Sequence, residues 1–207
     1  MAFRPVAVHL AAALLALVAM AGCQAGSPDP LSGGPASQLP PGDANASCER
    51  APDSPNDPLR LFFPSQGVRV DVTRVGLTAT DDINLVPLDR HPLVAGWYCE
   101  GPQPGDLGPS VIVGHVDWGG SLAAFGRLAA LRKGDRVEVT NRAGQLHRFV
   151  ITSRQQVKKA AFPFDRVFGD QPVSRLTLIT CGGQFDHSAD TYVDSNIIYA
   201  SPDPATG

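Results

Sequence analysis

Apolar and polar positions beyond residue 57 alternate in short runs rather than at helical spacing. Val68 to Val75 reads V-R-V-D-V-T-R-V, with valine on one face and polar or charged residues on the other, which predicts a half-buried strand. Arg136 to Thr140 (R-V-E-V-T) repeats the pattern, and Asn141 to Gly144 turns the chain back into Leu146 to Thr152 as a hairpin. Leu59 to Phe63, Leu93 to Tyr98, Ser110 to Val113 and Asn196 to Ala200 are further strands. Leu176 to Thr180 is apolar or β-branched throughout and suits a buried strand. Leu77 to Pro92 and Gln184 to Asp194 read as turn and loop. Helical character is confined to Phe125 to Leu131 and to a turn within Phe162 to Gly169. Such a domain is mainly β, with about seven or eight short strands and one or two short helices, a barrel or a sandwich.

The first 57 residues follow different rules. Arg4 precedes an almost wholly apolar run from Ala7 to Gly22, the pattern of an export signal. The run is somewhat short for a spanning helix, and it contains His9. It ends in Met20-Ala21-Gly22-Cys23, which resembles a bacterial lipobox and makes Cys23 the expected lipid attachment point. An uncleaved signal anchor and plain secretion are the alternatives, and all three place the rest outside the cytoplasm. About half of Gln24 to Asp57 is Pro, Gly or Ser without apolar periodicity, so it reads as a flexible tether. The expected organisation is a signal or anchor over 1–23, a linker over 24–57, a catalytic domain over 58–202 and a tail over 203–207. The expected location is the extracellular face of the cell membrane.

Composition narrows the chemistry. A formal charge of −3 over 207 residues, with no long basic block, argues against nucleic acid as a partner. The four cysteines, at 23, 48, 99 and 181, include no C-x-x-C pair, and the five histidines have no metal-ligand spacing. Neither a metal nor an organic cofactor is called for. Two residues stand out. Cys181 closes the apolar Leu176–Thr180 run beside Gly182 and Gly183, which leave room for a substrate chain to approach. His115 follows Val111-Ile112-Val113-Gly114 and so sits at a strand end as well. A thiolate needs a proton donor for its leaving group, and a histidine on the same rim supplies one. Taken singly, Cys181 is equally a small buried hydrophobe and His115 more often a hydrogen-bonded surface residue; the pairing carries the information. Asp117 could orient the imidazole but reads better as a turn residue. Trp97 reads as core and Trp118, beside Gly119-Gly120, as exposed. Cys48 and Cys99 are left over, and a disulfide between them is permitted outside the cell.

The ordered set Gly96-Trp97-Tyr98, Pro104-Gly105, V-I-V-G-H-V-D at 111–117, F-G-R-L at 125–128, K-G-D at 133–135, L-T-L-I-T-C-G-G-Q-F-D at 176–186 and Y-V-D-S-N-I-I-Y-A at 192–200 resembles the sortases. The actinobacterial class F group is the nearest likeness and class E the next. The resemblance covers residues 59 to 202. It implies an eight-stranded sortase β-barrel and a cysteine transpeptidase on the outer face of the membrane, monomeric and tethered through its N-terminus. Its partners would be secreted proteins with a C-terminal sorting signal of the LPxTG type and an amine acceptor, a cell-wall precursor or a pilin lysine. Carried over by motif, Cys181 is the nucleophile, His115 the general acid/base, and Thr180 a residue shaping the oxyanion or substrate region. One position departs: the arginine that sortases carry at the start of the last strand falls on Val193, and no Lys or Arg follows Arg175. Arg175 lies six residues before Cys181 on one strand, roughly 20 Å away, which leaves Arg127, Arg154 and His187 as stand-ins. The alternative is a catalytically impaired sortase-fold lipoprotein that binds sorting signals or wall precursors without turnover.

Overall fold

The computed structural model describes residues 48–77, 83 and 85–206. The predicted export signal, Cys23 and most of the tether lie outside them. Eight strands close into one barrel. They are β1 (Pro58–Phe63), β2 (Val68–Val75), β3 (Ala95–Tyr98), β4 (Gly108–Val113), β7 (Arg136–Asn141), β8 (Leu146–Lys158), β9 (Ser174–Asp186) and β10 (Thr191–Pro202). A small hairpin, β5 (Asp117–Trp118) with β6 (Ser121–Leu122), stands outside. Around the barrel the order is β1-β2-β3-β4-β9-β10-β8-β7, which closes because β1 also pairs with β7. Closure leaves no free sheet edge among these strands. The mainly β, eight-stranded barrel with two short α-helices, α1 (Val86–Arg90) and α2 (Phe164–Phe168), is the fold that the sequence implies.

The alternating residues do what their period requires. Val70 and Val72 are buried while Arg69 and Asp71 face solvent. Inside the barrel Leu61, Ile112, Val137, Val139, Phe149, Ile151, Leu176 and Leu178 form one apolar core with Phe125. A second cluster joins Val75, Leu88, Tyr98, Val111, Val113, Val167 and Ile197 and seats both helices on the barrel.

Several boundaries differ from the sequence reading. β9 does not stop at Cys181 but runs on to Asp186, and β10 starts at Thr191, so the expected loop shrinks to 187–190. β8 continues to Lys158, six residues beyond Thr152. Cross-strand pairing extends these polar stretches, which have little strand pattern of their own. Within the expected Leu77–Pro92 loop, Val86–Arg90 is helical. The helical piece expected over Phe125–Leu131 is only a 3-10 turn at Leu128–Ala130.

The tether's end is fastened to the barrel. Cys48 and Cys99 form a disulfide. The Arg74 guanidinium donates to the Cys48 and Ala51 carbonyls and to the Asp57 carboxylate, which also accepts from the Ser54 amide and Gln103 Nε2. The Arg74 and Asp57 side chains are only 12% and 3% exposed. Removing one member of such a pair strands a buried charge, so Asp57→Ala is expected to cost about 3 kcal/mol. In a domain of this size that is a melting-temperature drop of roughly 6–12 °C. A drop under about 2 °C in a thermal melt would show that the two carbonyls alone satisfy Arg74.

Candidate active site

Cys181 and His115 are brought together by strand register. β4 and β9 run parallel, from Gly108 opposite Ser174 to Val113 opposite Ile179. Carried two residues further, the same offset sets His115 opposite Cys181. Two bonds hold the chains together over that extension: the Gly114 amide donates to the Ile179 carbonyl at 3.1 Å, and the Thr180 hydroxyl to the Gly114 carbonyl at 2.7 Å. Neighbouring strands lie about 4.8 Å apart, and residues opposite each other point to the same side. Both side chains line one cleft of about 440 Å³. Thr180 is buried, and its hydroxyl fixes the His115 strand end to the Cys181 strand.

The glycines beside Cys181 have a different purpose from the one their position suggests. A Cβ on Gly182 would run into the Asn196 side-chain amide, and one on Gly183 into the Asp194 carboxylate. Gly183 also has φ +76°, where the β9–β10 register shifts between Tyr192 and Asp194. The two glycines thus admit side chains of β10 and absorb an irregularity in the sheet. Cys181 lies within the strand, opposite Ser195, and is half-buried.

The His115 ring has two neighbours. Its Nε2 lies 3.0 Å from Asp89 Oδ1 at the end of α1. An ionised carboxylate only accepts, so this contact puts a proton on Nε2 and fixes the ring's orientation. The Trp118 ring lies at 4.9 Å between centroids and is tilted by 39°. Sequence reasoning missed Asp89, because it reaches His115 from a segment with no strand or helix signature. Asp117, the carboxylate nearer in sequence, accepts instead from the Tyr192 hydroxyl at 2.7 Å. That bond, with lesser contributions from burial and from charge at Asp117 and Cys181, pushes the Tyr192 pKa up and keeps its proton in place.

The rest of the cleft is mostly apolar. Phe162, Phe164 and Phe168 form one wall, with Phe162 edge-on to Phe164 and Phe164 stacked on Phe168. Ile83, Leu85, Val113 and Ile179 add to it. Ser195 and Lys159 are its other polar lining residues.

None of the three stand-ins for the absent arginine lines this cleft. Arg127 borders a separate depression near Phe63 and Leu128. The Arg154 guanidinium donates to the Ala129 carbonyl. His187 lies beyond the end of β9, against Phe185. Arg175 donates to the Arg166 and Val167 carbonyls, and burial lowers its pKa. Val193 is not among the cleft's lining residues either. Trp97 is buried, with its indole N–H donating to the Pro102 carbonyl, and Trp118 is exposed.

A model of the sortase domain matches residues 63–203. The chain belongs to the sortase family. Solved sortases share its fold at low identity. Sortase C1 from Streptococcus agalactiae is 16% identical with a TM-score of 0.53, the match covering 70% of this chain and 66% of that one. Sortase C from Clostridium perfringens is 14% identical with a TM-score of 0.52, covering 73% and 72%. A lid mutant of sortase A from Corynebacterium diphtheriae is 16% identical with a TM-score of 0.54, covering 76% of each. The chain thus spans about two thirds to three quarters of these sortases. No curated protein matches it.

Proposed function

We propose that this sortase is a cysteine transpeptidase in which Cys181 is the nucleophile and His115 the general acid/base. The observation that carries this reading is the β4–β9 register, which sets the two residues side by side in one cleft. The Cys181 thiolate attacks the carbonyl carbon of the sorting motif's threonine, giving a tetrahedral oxyanion. As that intermediate collapses, the C–N bond breaks and His115 gives its proton to the leaving amine. A thioester on Cys181 remains. An incoming amine then attacks the thioester, the C–S bond breaks, and His115 takes the amine's proton. The apolar wall of Phe162, Phe164 and Phe168 fits the aliphatic side chain of an LPxTG-like signal. The class F likeness, an amine from a wall precursor or pilin lysine, and anchoring at the outer membrane face through residues 1–23 belong to the same reading.

The test is intact-mass spectrometry of the full-length chain mixed with LPxTG and LAxTG peptides, each with and without an amine. The expected result is an adduct of the peptide's N-terminal fragment on Cys181 that disappears when amine is added. No adduct with either peptide, while an alkylating probe still labels Cys181, would count against turnover on such motifs and favour a binding-only sortase.

A further inference from the structure

A tetrahedral oxyanion formed at Cys181 needs a positive donor, and none of the arginines considered above lines this cleft. We infer that Lys159 supplies it, as the cationic oxyanion donor of this enzyme. The inference rests on the transpeptidase reading. Among the described residues Lys159 is the only lysine or arginine that lines the cleft holding Cys181 and His115.

Its position follows from the sheet. β8 pairs with β10 antiparallel, with Lys158 opposite Asp194. Lys159 follows directly as the first residue of the 3-10 turn Lys159–Ala161, so it leaves β8 beside Asp194, the neighbour in sequence of Val193, the place of the absent arginine. Lys158 binds the Asp194 carboxylate at 2.9 Å, while Lys159 lines the cleft. The cation that lines the cleft thus comes from the turn after β8 rather than from β10. The extension of β8 beyond Thr152 makes this possible, since it carries the chain alongside the start of β10.

Lys159 is also free to act. Its Nζ donates to Thr191 Oγ1 at 2.7 Å. An ammonium has three donors, so two remain for an oxygen in the cleft. Thr191 is a neutral acceptor and leaves the charge uncompensated. The four-carbon stem lets the head shift to meet the oxyanion as charge develops. A lysine in this role is a compact point charge in place of a planar fork, so it stabilises the oxyanion without gripping the substrate by paired bonds.

The experiment measures acylation of the full-length chain by an LPxTG peptide in single-turnover mode, read by intact mass. Peptide affinity is measured separately by fluorescence anisotropy. Lys159→Met and Lys159→Gln are expected to slow acylation about 100-fold with little change in affinity. Lys159→Arg is expected to stay within about 10-fold of the natural enzyme, because the charge is kept. Lys133→Met, which removes a lysine lining a separate depression with Arg132 and Arg154, is expected to change nothing. Circular dichroism of both neutral variants checks that they fold. Natural acylation rates in folded Lys159→Met or Lys159→Gln would overturn the inference. So would arginine performing no better than glutamine. If the natural chain forms no adduct at all, the transpeptidase reading fails first and this inference falls with it.

Discussion

Replacing Cys181 by alanine is expected to abolish acyl transfer while leaving the barrel intact. Loss should be at least about 10⁴-fold, because the thioester has no other atom to form on. Cys181 is the one free cysteine among the described residues, the others being joined as Cys48–Cys99. The substitution removes only one sulfur from a half-buried position, so the melting temperature should move little. Two readouts separate the possibilities. The peptide adduct should vanish from the intact-mass spectrum, and anisotropy should still show the peptide binding in the cleft. Residual amine-sensitive adduct in Cys181→Ala would place the nucleophile elsewhere and end the assignment.

The second large effect is expected at His115. His115→Ala should lower the rate of thioester formation by about 10²- to 10⁴-fold, the usual contribution of a positioned acid or base. The loss should fall on kcat rather than on peptide affinity, since the imidazole acts on the proton of the leaving amine. Asp89 supplies an internal comparison. Its carboxylate holds His115 Nε2 at 3.0 Å, but its side chain is 45% exposed. An exposed charge contact is worth about 0.5–1 kcal/mol, so Asp89→Asn should cost only roughly 2- to 5-fold in acylation. If Asp89 positions the ring, its effect disappears in the His115→Ala background. Independent, additive losses from the two substitutions would show that Asp89 acts through something other than the imidazole.

The barrel and the thiol and imidazole that line its cleft were legible in the sequence because the signals are local. A period of two along Val68–Val75 and Arg136–Thr140 states which face is buried. The apolar run before Cys181 and the one before His115 mark two strands, and their motifs identify the family. The supporting residues were not legible. Asp89, Lys159 and Tyr192 are ordinary polar residues in stretches without periodicity, and their partners are Asp89 with His115, Lys159 with Thr191, and Tyr192 with Asp117. Nothing along the chain distinguishes Asp117 from Asp89 as a partner for the imidazole. The choice depends on where α1 packs, through Leu88, against the barrel wall.

The same division runs through the whole protein. The sequence by itself determined the mainly β architecture and its apolar faces, along with the thiol and imidazole that one cleft would hold. Burial is encoded residue by residue in side-chain chemistry. Tertiary structure decided the rest: that β9 continues past Cys181, that Gly182 and Gly183 make way for Asn196 and Asp194, and that β8 reaches far enough to present Lys159. These features depend on register between strands distant in the chain. Register is fixed by the closure of the barrel as a whole, so no single segment carries it.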